Sequence, residues 1–328
     1  MPIFVLEFFG TIHQVMGAVD TADLAFFFGP HLLGERAVSE RAALSLHFAP
    51  RAGAGRRDRE VRVLDGEGRL LRRWAFHGIG GIPPMLPPFA VMNQRYALVQ
   101  AAVLAKGDSV VALIGGVGSP RNSVALALGG RGWRMVSGRY LVVDRVTGRT
   151  LPYQLPLELR GAALESARAA GLTDGPSDDL RPVCSPLTGS SVQVRPERLL
   201  ATAAVDEALA PAALVRLCTG GAYGCRLEDW DFAPSVWPSE AAADLAAAPR
   251  MRLLMPESGG AEEAADLLDE RLTAPAAKGA PPCPAVPPTP RERPAGSATR
   301  GSTPPGRRTS TRASSVGSSD PRAAAAIT

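Results

Sequence analysis

Large aromatic side chains are scarce in this chain, at 5% of 328 residues, and no uncharged apolar run reaches the ~18 residues that a membrane-spanning helix needs. The lack of such a run argues against a helical membrane span. The cysteines Cys184, Cys218, Cys225 and Cys283 form no CxxC pair, and "CTGGAYGC" has none of the usual zinc-ligand spacings. They read as free thiols in a reducing cytoplasm. The N-terminal "MPIFVLEFFGTIHQVMG" lacks an early positive cluster and carries Glu7 and His13, which makes it a poor signal peptide. No sequence self-similarity appears at a period of 20 to 50 residues, so repeat architectures are excluded as well.

What the chain does have is a hydrophobic fraction of 45%, ordinary for a protein with a sizeable core. Its net charge of +4 is unevenly placed. Residues from Ala274 onward carry eight Lys or Arg against two acids, or +6, which leaves −2 for Met1 to Thr273. A mildly acidic body argues against a nucleic-acid surface on the folded part. The basic segment, 273–328, is rich in Pro, Ser, Gly and Arg and almost empty of large apolar side chains. Such a composition cannot offset its ordering entropy and reads as a disordered tail.

Residues 1–92 read as a β-rich N-terminal region. "ALSLHFAP" (43–50) alternates apolar and polar, and 59–78 reads as two alternating runs around Asp65-Gly66-Glu67-Gly68, a hairpin pattern. "GIGGIPPMLPPFA" (78–90) reads as a loop, because Pro removes donors and Gly loosens the backbone. From Tyr96 the pattern is a strand, a turn at Lys106-Gly107-Asp108, and a buried strand ending at Gly115. A helix with Asn122 or Ser123 near its start follows and stops at Gly129-Gly130. "WRMVSGRYLVVD" holds one or two strands, 149–160 is extended, and 161–172 is helical. Residues 173–192 read as a loop, "ALVRLCT" as a strand, and "SEAAADLAAAPR" and "AEEAADLLDERL" as two terminal helices. "LEDWDFAPSVWP" (227–238) reads as a surface loop anchored by Trp. The fold class is α/β: a central mixed sheet in 93–272, after the β-rich part and before the tail. The sequence sets no oligomeric state.

One stretch carries chemistry. In "VALIGGVGSPRNSVALALGGRG" an apolar strand runs into Gly115, Gly116 and Gly118, and a helix follows. Such a strand–turn–helix points backbone N–H groups at an anion, aided by the helix dipole. The candidate anion-binding residues are Gly115, Gly116, Gly118, Ser119, Arg121, Asn122 and Ser123. A phosphate loop places Lys on the terminal phosphates and Ser/Thr on magnesium. Here Pro120 stands at the closing glycine of such a loop, Arg121 at the Lys and Asn122 at the Ser/Thr. Pro120 loses an N–H donor, Arg121 keeps the charge in a larger planar group, and Asn122 offers an amide oxygen. His13, His31, His47 and His77 are scattered over the β-rich region and join no Ser or Cys in a triad motif, so they read as structural.

With the stretch behind it, this loop resembles the phosphate-loop region of the HPr serine kinase-like family. The matching residues are Gly115, Gly118, Ala125 to Leu128, Arg131, Gly132, Trp133, Arg134 and the strand Leu141 to Val143, within a resemblance covering roughly 96–217. It implies a P-loop kinase-like domain, ATP with magnesium, and a protein or peptide acceptor. The departures fall on the family's catalytic positions. Arg121 and Asn122 replace its Lys and hydroxyl residue, Gly138 and Arg139 replace its acidic pair, and Gln100 replaces a frequent His. The expectation is therefore a degenerate member with no catalytic residues, binding ATP weakly or not at all and serving as a pseudokinase or regulatory partner in the cytoplasm. Two alternatives stand beside it. One is an active serine kinase of altered chemistry, using Arg121, Arg139 and an acid such as Asp144. The other is a non-nucleotide interaction scaffold.

Overall fold

A computed structural model describes residues 3–17, 19–35, 42–50, 58–77, 87–116, 118–173, 177–185, 189–220, 224–257 and 259–274. Met1 to Pro275 group into one compact unit. The expected disordered tail (273–328) lies outside the described residues from 275 on, Thr273 being the last residue of a helix, and most of the expected 78–90 loop lies outside them too. No helix among the described residues is long and apolar enough to cross a membrane.

The N-terminal region is built on a six-stranded sheet. Its elements are β1 (Ile3–Phe8), β2 (Thr11–Gly17), α1 (Thr21–Phe28), β3 (Leu32–Glu35), β4 (Leu44–Pro50), β5 (Asp58–Asp65) and β6 (Leu70–His77). The sheet order is β3-β1-β2-β4-β5-β6, antiparallel except where β2 pairs with β4. The β1–β2 turn is two residues, Phe9 and Gly10, both at positive φ (56° and 72°). A primed hairpin turn demands that geometry. Phe9 adopts it because its ring packs 5.0 Å from the Tyr96 ring, which offsets the backbone strain. The hairpin expected around Asp65 to Gly68 is the β5–β6 pair.

The second region continues with α2 (Phe89–Met92), β7 (Tyr96–Gln100), β8 (Ala102–Lys106), β9 (Ser109–Ile114), α3 (Arg121–Gly129), β10 (Arg134–Ser137), β11 (Tyr140–Asp144), β12 (Thr150–Leu151), β13 (Leu157–Leu159), α4 (Gly161–Ala169), β14 (Leu180–Ser185), β15 (Gly189–Val194), α5 (Pro196–Leu199), β16 (Ala213–Thr219), β17 (Arg226–Asp229), β18 (Val236–Trp237), β19 (Arg250–Met255) and α6 (Ala261–Thr273). The central mixed sheet has order β10-β8-β9-β16-β19-β17. Strands β9, β16 and β19 run parallel, and the rest pair antiparallel. Smaller sheets, β12-β11-β7-β18 and β13-β15-β14, complete the mixed α/β architecture.

Several elements differ from the sequence expectation. The strand expected from Tyr96 breaks at Ala101, and its halves β7 and β8 enter different sheets. Leu180–Ser185 and Gly189–Val194 pair as the antiparallel strands β14 and β15, where a loop was expected. "SEAAADL" is a 3-10 helix, Ser239–Leu245, after which β19 alternates half-buried and buried residues. The supposed Trp loop is framed by β17 and β18. Helix α3 starts at Arg121 with Pro120 as its cap, because proline's fixed φ (−72°) suits a helix entry.

One core cluster fills the space under α3 and α6, where Val111, Leu113, Val124, Leu128, Trp133, Val215, Leu253 and Leu268 are buried. A second runs across both regions, joining Phe4, Leu6 and Phe8 of β1 to Tyr96, Leu98, Val142, Tyr153 and Leu155.

Candidate functional site

The C-terminal ends of β9, β16 and β19 lie on one edge of the central sheet, since Arg216 pairs with Ile114 and Thr219 with Met255. Glycine turns follow all of them: Gly115, Gly116 and Gly118 after β9, Gly220 after β16, and Gly259 and Gly260 after β19. Open α/β sheets bind ligands at this edge.

The glycine loop after β9 is tight. Ser119 N–H donates to the Gly116 carbonyl at 3.2 Å. A Cβ on Gly115 would sit 2.7 Å from Ser119 Cβ, and Gly118 has φ +82°. Gly115 is thus required by close approach and Gly118 by its backbone. Helix α3 then begins without a side-chain cap. The first-turn N–H groups of Arg121, Asn122 and Ser123 have no intrahelical acceptor, which is general for helix starts.

Arg121 points inward. Its Nε and Nη1 are buried without a hydrogen-bond partner. Burial, and then the nearby charge of Arg139, hold its guanidinium below its ordinary pKa, with Tyr140 opposing them. Arg139 reaches the same place because its carbonyl accepts from Ala101 N–H at 3.1 Å, and the next residue, Ala102, pairs with Leu113 at the end of β9. The Arg139 guanidinium lies 5.7 Å from the Tyr140 ring centre. Gly138 is packed under Leu157, where a Cβ would come within 2.9 Å of Cδ1 and Cγ. The expected acidic pair thus has no room at 138 and a cation at 139.

Asn122 is committed elsewhere. Its Nδ2 donates to the Glu158 carbonyl at 2.6 Å, and its Oδ1 is buried without a partner. The Glu158 carboxylate is the acid that sequence reasoning missed. Its Oε1 accepts from Ser191 Oγ at 2.6 Å and from Arg160. Burial alone would raise its pKa, but the Ser191 and Arg160 hydrogen bonds and the charges of Arg160 and Arg139 outweigh burial and leave it lowered. Asp144, the acid suggested for an active site, does not join this cluster. It lies at the opposite end of β11 from Tyr140, contacts Arg95 Nη2 at 3.4 Å and accepts from Val146 N–H at 2.9 Å.

Behind the arginines stands an aromatic wall. The Tyr140 and Tyr153 ring centres are 6.4 Å apart, and Tyr153 lies 6.1 Å from His31 and 6.2 Å from Phe8. His31 Nδ1 bonds the Glu7 carbonyl at 3.1 Å, while its Nε2 has no partner. Both ring nitrogens of His13 are buried and unpartnered. Burial pushes both imidazoles down to about 4, the Glu7 contact opposing this at His31. His47 is also lowered, by burial and then by Arg62. The His77 side chain lies outside the described residues.

The structure thus brings Gly115, Gly116, Gly118, Ser119, Arg121, Asn122 and Ser123 onto one strand–turn–helix and adds Arg139 and Glu158. Cations beside a glycine turn and a helix start are groups that suit an anion chemically. No protein-family model matches the chain. No curated protein matches it either. Among solved structures, the HPr(Ser) kinase/phosphatase from Coxiella burnetii is similar over 53% of this chain and 95% of that one, at 13% identity and a TM-score of 0.28. A likeness of that size carries no assignment of activity.

Proposed function

We propose that the turn between β9 and α3 is a rewritten phosphate loop, degenerate relative to HPr serine kinase-like proteins, that takes the phosphates of ATP weakly and performs no ordinary kinase chemistry. The role that follows is that of a cytoplasmic pseudokinase-type partner or regulator of another protein or peptide. One observation carries the reading. Arg121 is a mostly buried cation with two unpartnered donors, faced by a second cation, Arg139, at a helix start. A buried charge without a counter-charge costs several kcal/mol, and an anion would satisfy it.

The Glu158 carboxylate keeps the active serine kinase reading in view as the alternative, since it places an acid beside Arg139. Its commitment to Ser191 and Arg160 favours the degenerate reading.

Melting temperature against ATP tests the proposal. A site with a dissociation constant of about 1 mM gives about 1 kcal/mol of stabilisation at about 5 mM ATP. That corresponds to a rise of roughly 2–4 °C in a unit of this size. No shift at that concentration sinks the nucleotide reading in favour of an interaction scaffold. Transfer of labelled phosphate from ATP to a protein or peptide sinks the degenerate one.

A further inference from the structure

A phosphate loop ordinarily presents its anion together with magnesium, so the side chains around this loop can be tested as ligands for that ion. Magnesium demands oxygen donors in near-octahedral geometry, usually carboxylates together with phosphate oxygens. Asn122, at the usual hydroxyl position, spends its amide N–H on the Glu158 carbonyl, and its Oδ1 is buried. Glu158 has one oxygen occupied by Ser191 and Arg160. Ser119 is folded back against Gly115. Asp144 sits at the far end of β11, held by Arg95 and the Val146 amide. Among the described residues no group of three or more His, Cys, Asp or Glu could hold a metal ion. The charged groups that do face the loop from α3 and from the β10–β11 turn, Arg121 and Arg139, repel a third cation. What is left beside the loop, the Ser123 hydroxyl and one Glu158 oxygen between two cations, fits magnesium poorly.

Resting on the reading of this loop as an anion cradle, we infer that Arg121 and Arg139 stand in for the metal: the anion is held by guanidinium groups and helix N–H groups without a divalent cation between. Guanidinium suits this task because its planar donors meet phosphate oxygens in pairs. The ligand is then free polyphosphate, not its magnesium complex.

Calorimetric titration of the full chain with ATP, in EDTA and in excess magnesium, tests the inference. The expected result is binding in EDTA at least as tight as in magnesium. Binding that is about tenfold tighter with magnesium overturns the inference while leaving the cradle reading intact. No binding in either buffer overturns both. The triple variant Pro120→Gly/Arg121→Lys/Asn122→Ser restores the usual loop chemistry and is expected to acquire magnesium dependence of about tenfold. If that variant does not fold, Asn122→Ser serves, since it puts the usual hydroxyl at that position in place of the amide held by the Glu158 carbonyl, and its ATP binding should become tighter in magnesium than in EDTA. A variant that binds ATP equally in both buffers contradicts the claim that positions 120 to 122 set the metal requirement.

Discussion

Acidification should loosen the N-terminal sheet through His13 and His31, and the size of the effect follows from their surroundings. Both are within the aromatic core at 0% and 1% exposure. Both titrate at about 4 in the folded chain against 6.5 in a free imidazole. The unfolded chain therefore takes up these protons first as the pH falls. Their contribution leaves stability unchanged above pH 6.5, lowers it between 6.5 and 4, and levels off below 4. At pH 5 the loss is on the order of 2 kcal/mol for each histidine, or about 4 kcal/mol together. That is a large share of a stability of about 5–15 kcal/mol. Urea unfolding at pH 7 and pH 5 of the wild type and of His13→Leu measures it. The variant should lose about 2 kcal/mol less over this interval, because carboxylate titration is common to both proteins and cancels. It should also be no less stable at pH 7, since His13 leaves two buried nitrogens unpartnered. Equal losses in the two proteins would refute the reasoning.

Two further outcomes concern the loop. Gly115→Ala should destabilise the chain by roughly 1–3 kcal/mol in thermal unfolding and weaken ATP binding, because its Cβ meets Ser119 Cβ at 2.7 Å. Full retention of both properties would show that the loop is not packed as described. Glu158→Gln keeps an oxygen for Ser191 and Arg160 but removes a negative charge beside Arg139, so ATP should bind a few-fold more tightly by calorimetry. Weaker binding would place the carboxylate in the site's working machinery.

Local patterns made much of the fold legible. The apolar run ending in Gly115 and the run closed by Gly129 define β9 and α3 without tertiary knowledge. Asp65 to Gly68 likewise announces the β5–β6 hairpin. The β14–β15 hairpin was illegible because β14 is an edge strand. An edge strand needs little apolar surface and tolerates Pro182, which reads as a strand breaker. The break at Ala101 hides for a different reason: only the exposed Gln100 and Ala101 part the apolar runs of β7 and β8, too short a gap to announce a change of sheet. Around the loop, Arg121 and Asn122 were visible from loop spacing, and Arg139 only through the sequence resemblance. Glu158 was not, because it reaches Asn122 across 36 residues through the lateral placement of β13, which no local spacing encodes. Asp144 looked suitable by its position after an apolar strand, yet a five-residue strand separates it from the arginines.

Arg121→Met tests the central claim most directly, because a functional cation and a structural one behave oppositely. The substitution removes a mostly buried guanidinium with two unpartnered nitrogens and leaves the apolar stem. If the arginine is kept for an anion, the ligand-free variant should melt higher, by roughly 1–3 kcal/mol of added stability. ATP should then no longer raise its melting temperature. A variant that melts lower and still responds to ATP like the wild type would contradict the claim that this loop is an arginine-based anion site.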